Sequence, residues 1–255
     1  MVLRRFRADL HVHTVLSPCA DVEMIPPLIV ETALELGINL IAITDHNSTA
    51  NIEAVQKAAL HTSLTVLPGM ELQTKEDVHS LCLFDTLDQT NSFQKIVNAT
   101  LPVLNNNEDF FGGQYIVDET GEFLSHEERL LITSTSLSLN EAYAIVSDLG
   151  GLFIPAHINR KAYGLIDSLG FMPADIAFDA VEISRHISPE QAMASIPSIS
   201  NIPLIQNGDV HRLDEFLGSL HLEMETANID EIRMALQNNS GRKSKIVLPG
   251  FIDFK

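Results

Sequence analysis

The chain has 255 residues, 45% hydrophobic and 20% charged, a globular balance that excludes general disorder and supplies a sizeable core. Its 16 Lys and Arg stand against 34 Asp and Glu, a formal net charge of −18; with no Trp and 6% aromatics, this argues against gripping long nucleic acid. Two cysteines, Cys19 and Cys82, cannot build a disulfide framework, and there is no apolar leader and no run of about eighteen apolar residues. The chain therefore reads as cytoplasmic, with no membrane partner, and its oligomeric state stays open.

Phe6–His13 reads as a first strand. Pro26 and Pro27 open a helix with its body at Leu28–Leu36, which Gly37 stops. Asn39–Thr44 is a short buried strand, and Asn47 or Ser48 caps a helix through Leu60. Leu64–Leu67 is a third strand, closed by Pro68-Gly69; Val78–Phe84 is a fourth, followed by a helix from about Ser92 to Leu104. The stretch 105–138, with three asparagines in a row, Gly112-Gly113 and an acidic run, breaks this rhythm. It reads as an insertion of loop and short helix over the mouth or side of the domain, a solvated flap or a substrate lid. A helix at Leu139–Leu149 and strands at Leu152–Pro155, Ala180–Ile183, Pro203–Gln206 and Ser219–Met224 follow, then a helix at Ile229–Gln237. Such alternation predicts parallel βα units closing like a barrel, in a single domain over residues 1–255.

The chemistry follows the histidines. His11 and His13 lie two apart at the end of the first strand, so both side chains point to one face. Asp45-His46 follows the strand ending at Thr44, Glu71 follows the third strand, and His79 opens the fourth. His157 comes just past Pro155, and Asp209 and His211 follow the strand ending near Gln206. Most of these stand at C-terminal strand ends, where barrel active sites assemble. Imidazoles and carboxylates converging there go unsatisfied unless cations lie between them. Mixed His and carboxylate ligation suits zinc, manganese or iron, and the ligand count exceeds one ion's need, so a cluster of two or three metals is the economical reading.

Taken in order, Asp9-Leu-His-Val-His-Thr14, Ile43-Thr-Asp-His-Asn47, Gly69-Met-Glu71, His79, His157 and Asp209-Val-His211 resemble the motifs of the PHP (polymerase and histidinol phosphatase) family. The resemblance implies a stand-alone metal-dependent phosphoesterase: a distorted seven-stranded, TIM-like β/α barrel with the 105–138 insertion, binding two or three divalent ions. It implies that His11, His13, Glu71 and Asp209 hold the first ion and that Glu71 bridges to a second, held by His79 and His157. The third takes His46 and His211. Some family members carry a His or Asp shortly after the first pair; this chain reads Ser17-Pro18-Cys19-Ala20-Asp21, leaving Cys19 or Asp21 as the remaining ligand.

Two ions about 3.5–4 Å apart can share a water, lower its pKa towards about 7 and aim it as hydroxide at phosphorus. No G-x-S-x-G elbow, P-loop or dinucleotide fingerprint competes with that reading. Glu71, Asp209 and His211 are candidate catalytic residues, with Asp45 fixing a ligand imidazole's tautomer. Arg160 and Arg185 are candidate forks for phosphate oxygens, with Lys161 and His186 behind them. His61, His126 and His221 fall off the pattern, Asp77 reads as a solvated turn, and Cys82 as a small buried hydrophobe. The expected partner is a small phosphorylated substrate, a phosphomonoester or nucleotide, and no long nucleic acid. The alternatives are an exonuclease on short oligonucleotides, a metallohydrolase of an amide or lactone, and a non-catalytic metal-binding module.

Overall fold

The structure, a computed structural model, describes residues 2–248. Strand β1 (Arg4–Val12) leads into α1 (Pro26–Glu35), β2 (Leu40–Ile43), α2 (Ile52–Ala58), β3 (Thr65–Gln73), β4 (His79–Leu83) and α3 (Leu87–Thr100). A short α4 (Glu108–Phe111) and the hairpin β5 (Tyr115–Val117) and β6 (Phe123–His126) follow. Next come α5 (Leu139–Asp148), β7 (Leu152–Pro155), α6 (Leu165–Leu169) and β8 (Val181–Ile183). The chain continues through α7 (Pro189–Ser195), β9 (Leu204–Gln206), β10 (Leu220–Met224), α8 (Ile229–Leu236) and β11 (Lys243–Ile246).

Seven strands form one curled sheet in the order β11-β10-β1-β2-β3-β4-β7, and β8 and β9 form a separate parallel pair. That pair stands across the open side. Ile158 N–H, just past β7, donates to the Glu182 carbonyl on β8 at 2.9 Å, and Leu10 N–H on β1 donates to the Asn207 side chain after β9 at 2.8 Å. The distorted, TIM-like barrel is thus present. The all-parallel sheet expected from repeated βα units is not: among the described strands of the large sheet only β1–β2 and β2–β3 pair in parallel, and the β3–β4, β4–β7, β1–β10 and β10–β11 pairings are antiparallel.

Side chains alternate across the sheet as the two-residue period dictates. Ala8, Leu10, Leu40, Leu81 and Leu222 fill the inside, where Ile229, Ile232 and Leu236 of α8 pack against them. Ile41, Ile43 and Val66 face outward beneath Ile29 and Val30 of α1 and Val55 of α2.

Three expected boundaries move for identifiable reasons. β3 runs straight through Pro68-Gly69 instead of stopping there, because its first half pairs with β2 and its second half with β4. Gly69 is needed at the changeover, where a Cβ would stand 2.8 Å from Leu83 Cδ2 and 3.1 Å from the Ile43 carbonyl. Asn47 does not cap α2, which starts after Asn51; its amide donates to the carbonyls of Leu131 and Thr133 and accepts from Gln73 N–H. α3 starts earlier than Ser92 because Thr86 and Gln89 form a capping box ahead of it. Within 105–138 the structure adds the β5–β6 hairpin. Tyr115 N–H bonds the Val15 carbonyl and Val117 N–H bonds Asn51, so the segment rests on the loops that follow β1 and β2.

Candidate metal centre

His11 and His13 reach the barrel mouth because β1 is irregular. Asp9 pairs with Ile41 and Val12 with Ile43, three steps on β1 against two on β2. This extra residue reverses the alternation, so the two imidazoles join the inner side with Leu10 and leave the outer side with Asp9. β4 is antiparallel to β3, so His79 at its beginning meets the same rim as the carboxyl ends of the parallel strands. His157, after β7, and Asp209, after β9, both hold positive φ, 29° and 51°, which turns the chain sharply at the rim.

Glu71 is the hub. One of its oxygens lies 2.9 Å from His79 Nδ1, 3.1 Å from His157 Nε2 and 3.3 Å from His11 Nε2; the other lies 3.0 Å from His46 Nδ1 and 3.3 Å from His13 Nε2. Asp209 adds an oxygen 3.3 Å from His11 Nε2 and 3.6 Å from His13 Nε2. Three groups of atoms are close enough to share an ion: His11, His13, Glu71 and Asp209; His46, Glu71 and His79; and His13, His46 and His211. His46 thus stands between the second and third groups.

Among the described residues, several buried atoms of these side chains have no hydrogen-bond partner: His11 Nε2, His13 Nε2, His46 Nδ1 and Glu71 Oε2 in the cluster, and the outer ring nitrogens His79 Nε2 and His157 Nδ1, whose other nitrogens bond Glu71. Buried nitrogen and oxygen atoms left this way cost free energy unless something else satisfies them. Divalent cations fit this donor set, which is rich in imidazole and carboxylate.

The surroundings fix the imidazoles. Ser17 Oγ donates to Asp45 at 2.7 Å, so it accepts from His13 Nδ1 at 2.9 Å and leaves the His13 Nε2 lone pair facing the cluster. Asp45 therefore acts on His13 through Ser17, where a direct bond to an imidazole was expected; its other bonds come from Thr14 N–H and Oγ1. His11 Nδ1 donates to Glu182, 3.1 Å away, which also accepts from His157 N–H at 2.9 Å and Asn207 Nδ2 at 2.8 Å. Sequence reasoning missed Glu182. Asp9, buried below the site, accepts from the N–H groups of Gly208, Leu217 and Gly218; burial outweighs these bonds and lifts its carboxyl to about 6.

Without cations the charges balance among themselves. Burial pushes the Glu71 carboxyl up, but His79, His11 and His46 pull harder and hold it well below the usual range. Burial also disfavours the His11 cation, yet Glu182, Glu71 and Asp209 raise it well above the ordinary imidazole value. At the rim, burial opposes the Cys19 thiolate, while His46 and His211 bring the thiol down to about 5. Asp21 is not brought to the cluster; its side chain accepts from Glu23 N–H in a local turn.

Two adjoining cavities open onto the rim. One, of about 220 Å³, is lined by Cys19, His46, Glu71, His79, Ile132 and Asp209, among others. The second, of about 360 Å³, holds Ser184, Arg185, His186 and Asn207, and His157, Arg160, Asp209 and His211 belong to both. Arg160 is ion-paired to Asp209, and Arg185 donates to the carbonyls of Gly208 and Glu215. Lys161, His61 and His126 are exposed residues outside both cavities and all three groups; His221 is half-buried and equally remote, and Cys82 is fully buried.

A family model described as the PHP domain matches residues 9–172. The Bacillus subtilis protein YqxK is 26% identical over 275 residues, covering 94% of this chain and 64% of that protein. Among solved structures, the lesion-specific endonuclease Q from Pyrococcus furiosus has a TM-score of 0.70 at 22% identity, covering 94% of this chain and 58% of its own. Endonuclease Q in complex with a 27-mer duplex substrate, an abasic lesion at its active site, has a TM-score of 0.66 at 23% identity, covering 95% and 58%. The chain thus spans less than two thirds of the length of these relatives. The duplex complex overturns the expectation of a small phosphorylated partner and no long nucleic acid. The net-charge argument failed because −18 is a sum over the whole chain, whereas contacts are made locally, within a screening length of about 10 Å. Among the described residues, no helix is long and apolar enough to cross a membrane.

Proposed function

The chain belongs to the PHP domain family of metal-dependent phosphoesterases, and from that premise we propose that it hydrolyses phosphoester bonds of nucleic acid. The observation that carries the reading is the buried set of imidazoles gathered around the Glu71 and Asp209 carboxylates, with His11, His13, His46 and Glu71 atoms left unpaired, beside an arginine-edged cavity. In this reading His11, His13, Glu71 and Asp209 hold one ion, and Glu71, His79 and His157 hold a second, with His46 at its edge. His46, His211 and Cys19 hold a third. Bound there, divalent ions supply the acidity that makes water a nucleophile near neutral pH and the positive charge that phosphate oxygens require.

The protein's own side chains do the rest. Ser17 and Glu182 keep the His13 and His11 protons on Nδ1, so that both Nε2 lone pairs would be the ones offered to an ion. Arg160 sits where both cavities meet and offers its remaining N–H groups to a non-bridging phosphate oxygen. Arg185 uses only Nη1 on backbone carbonyls and lines the second cavity, where it meets the portion of substrate beyond the scissile phosphate. A diester needs room on both sides of phosphorus, and the paired cavities supply it. We treat the chain as one such domain, with 105–138 contributing Ile132 to the cavity wall.

The test is cleavage of end-labelled single strands, duplexes and abasic duplexes by protein reloaded separately with manganese, zinc or iron, beside Asp209→Ala. Metal-dependent cleavage that is absent from the variant supports the reading. Loss of a phosphomonoester group alone, with every internal linkage intact, overturns the nucleic-acid substrate.

A further inference from the structure

Four of the basic residues of this acidic chain share one outer face, away from the metal-site cavities. On β1, β10 and β11 the register aligns two rows across the sheet edge: Arg5–Glu223–Lys243 and Arg7–His221–Lys245. The opposite side of the same strands carries Phe6, Leu220 and Leu222, which enter the core, so strand alternation directs the basic rows outward. Arg5, Arg7, Lys243 and Lys245 make up four of the 16 Lys and Arg in a chain of net charge −18, and Glu223 is the only carboxylate in the two rows.

A groove of about 350 Å³ runs between them, lined by Arg5, His221, Glu223, Asn238, Lys243 and Lys245. Arg5 is 85% exposed and shares an ion pair with Glu223 at 3.3 Å. Among the described residues neither Lys243 nor Lys245 has an ion-pair partner, and both are exposed. Arg7, opposite His221 in the register, is held by the carbonyls of Gly218 and Leu36 outside the groove lining. The positive field there is strong enough to help depress the proton affinity of His221, after the larger effect of burial.

We propose that this groove is a second contact surface for the phosphate backbone of a nucleic-acid strand whose scissile linkage lies at the metal centre. The identity of the partner rests on the function proposed above; the positive surface itself does not. Unpaired lysines beside an anchored arginine suit a repeating anion, and repulsion from the acidic rest of the chain is screened beyond about 10 Å. Arg5 and His11 lie on the same strand, about 20 Å apart at 3.3 Å per residue. At the stacked spacing of 3.4 Å per step, a strand touching both places spans about six steps, and an extended single strand about half as many.

The test is fluorescence anisotropy of a labelled 20-nucleotide single strand with metal-loaded full chain carrying Asp209→Ala, so that the strand is not consumed. Adding Lys243→Gln and Lys245→Gln removes about two phosphate contacts. The expected result is affinity about tenfold weaker near 0.1 M salt and a salt dependence of log K shallower by about 1.4. A two-nucleotide strand, too short to reach the groove from the metal centre even when extended, shows no difference between the variants. Lys243→Arg with Lys245→Arg restores the 20-mer affinity if charge is the cause. Unchanged affinity and slope in the Gln pair, or failure of the Arg pair to restore them, overturns the proposal. Binding is read without turnover, so a chain that cleaves no nucleic acid refutes the proposed function and leaves this measurement to decide separately.

Discussion

Glu182→Gln isolates what holds the two histidines in place. Every group that contacts the Glu182 carboxylate is a donor: His11 Nδ1, His157 N–H and Asn207 Nδ2. A glutamine of the same shape must turn its NH2 towards at least one of them. Asn207 cannot compensate by flipping, because its oxygen already accepts from Leu10 N–H. Among the described residues His157 N–H has no other acceptor, so either orientation of the amide leaves one buried donor unsatisfied, at a cost of about 1–3 kcal/mol. For a chain of this size that lowers the melting temperature by about 2–4 °C per kcal/mol. The substitution also removes the charged acceptor that fixes His11, which weakens metal affinity by about 10–100-fold. Thermal unfolding of metal-free protein reads the first effect and competition with a chelator reads the second. Wild-type values in both refute the assignment of Glu182 as the residue that orients His11.

Cys19 gives a pH prediction. In metal-free protein its thiol is brought down to about 5, so the thiolate, the reactive form, is present above that value and lost below it. The rate of iodoacetamide labelling should level off from about pH 6, and saturating zinc should suppress it; a rate still climbing towards pH 9 contradicts the placement of His46 and His211 beside the sulfur. Gly69→Ala should cost about 1–3 kcal/mol in urea unfolding, because the new methyl meets Leu83, Thr44 and the Ile43 carbonyl where β3 changes partners. An unchanged midpoint there means the β2–β3–β4 junction is looser than the contacts imply.

That the residues of the candidate metal site would meet was legible because they interrupt or follow apolar runs whose ends a barrel gathers at one rim. Glu182 was not, since one acid between Val181 and Ile183 reads as an ordinary outward-facing strand position. Its signal was indirect: a ligand imidazole needs an acceptor at its other nitrogen, and few buried strand acids are available. Pro68-Gly69 reads as a turn by local chemistry, but pairing on both sides carries the strand through it. β11 was missed because Lys-Ser-Lys-Ile has a single apolar residue, and its strand form comes from pairing with β10.

The central claim is that the buried histidines and carboxylates exist to hold metal, and elemental analysis of the purified, reloaded chain tests it most directly. The account predicts about two or three transition-metal ions per chain, falling sharply in His13→Ala, whose ring contributes to two of the three groups. Stoichiometry well below one ion in the wild type, after reloading with manganese, zinc and iron in turn, contradicts it.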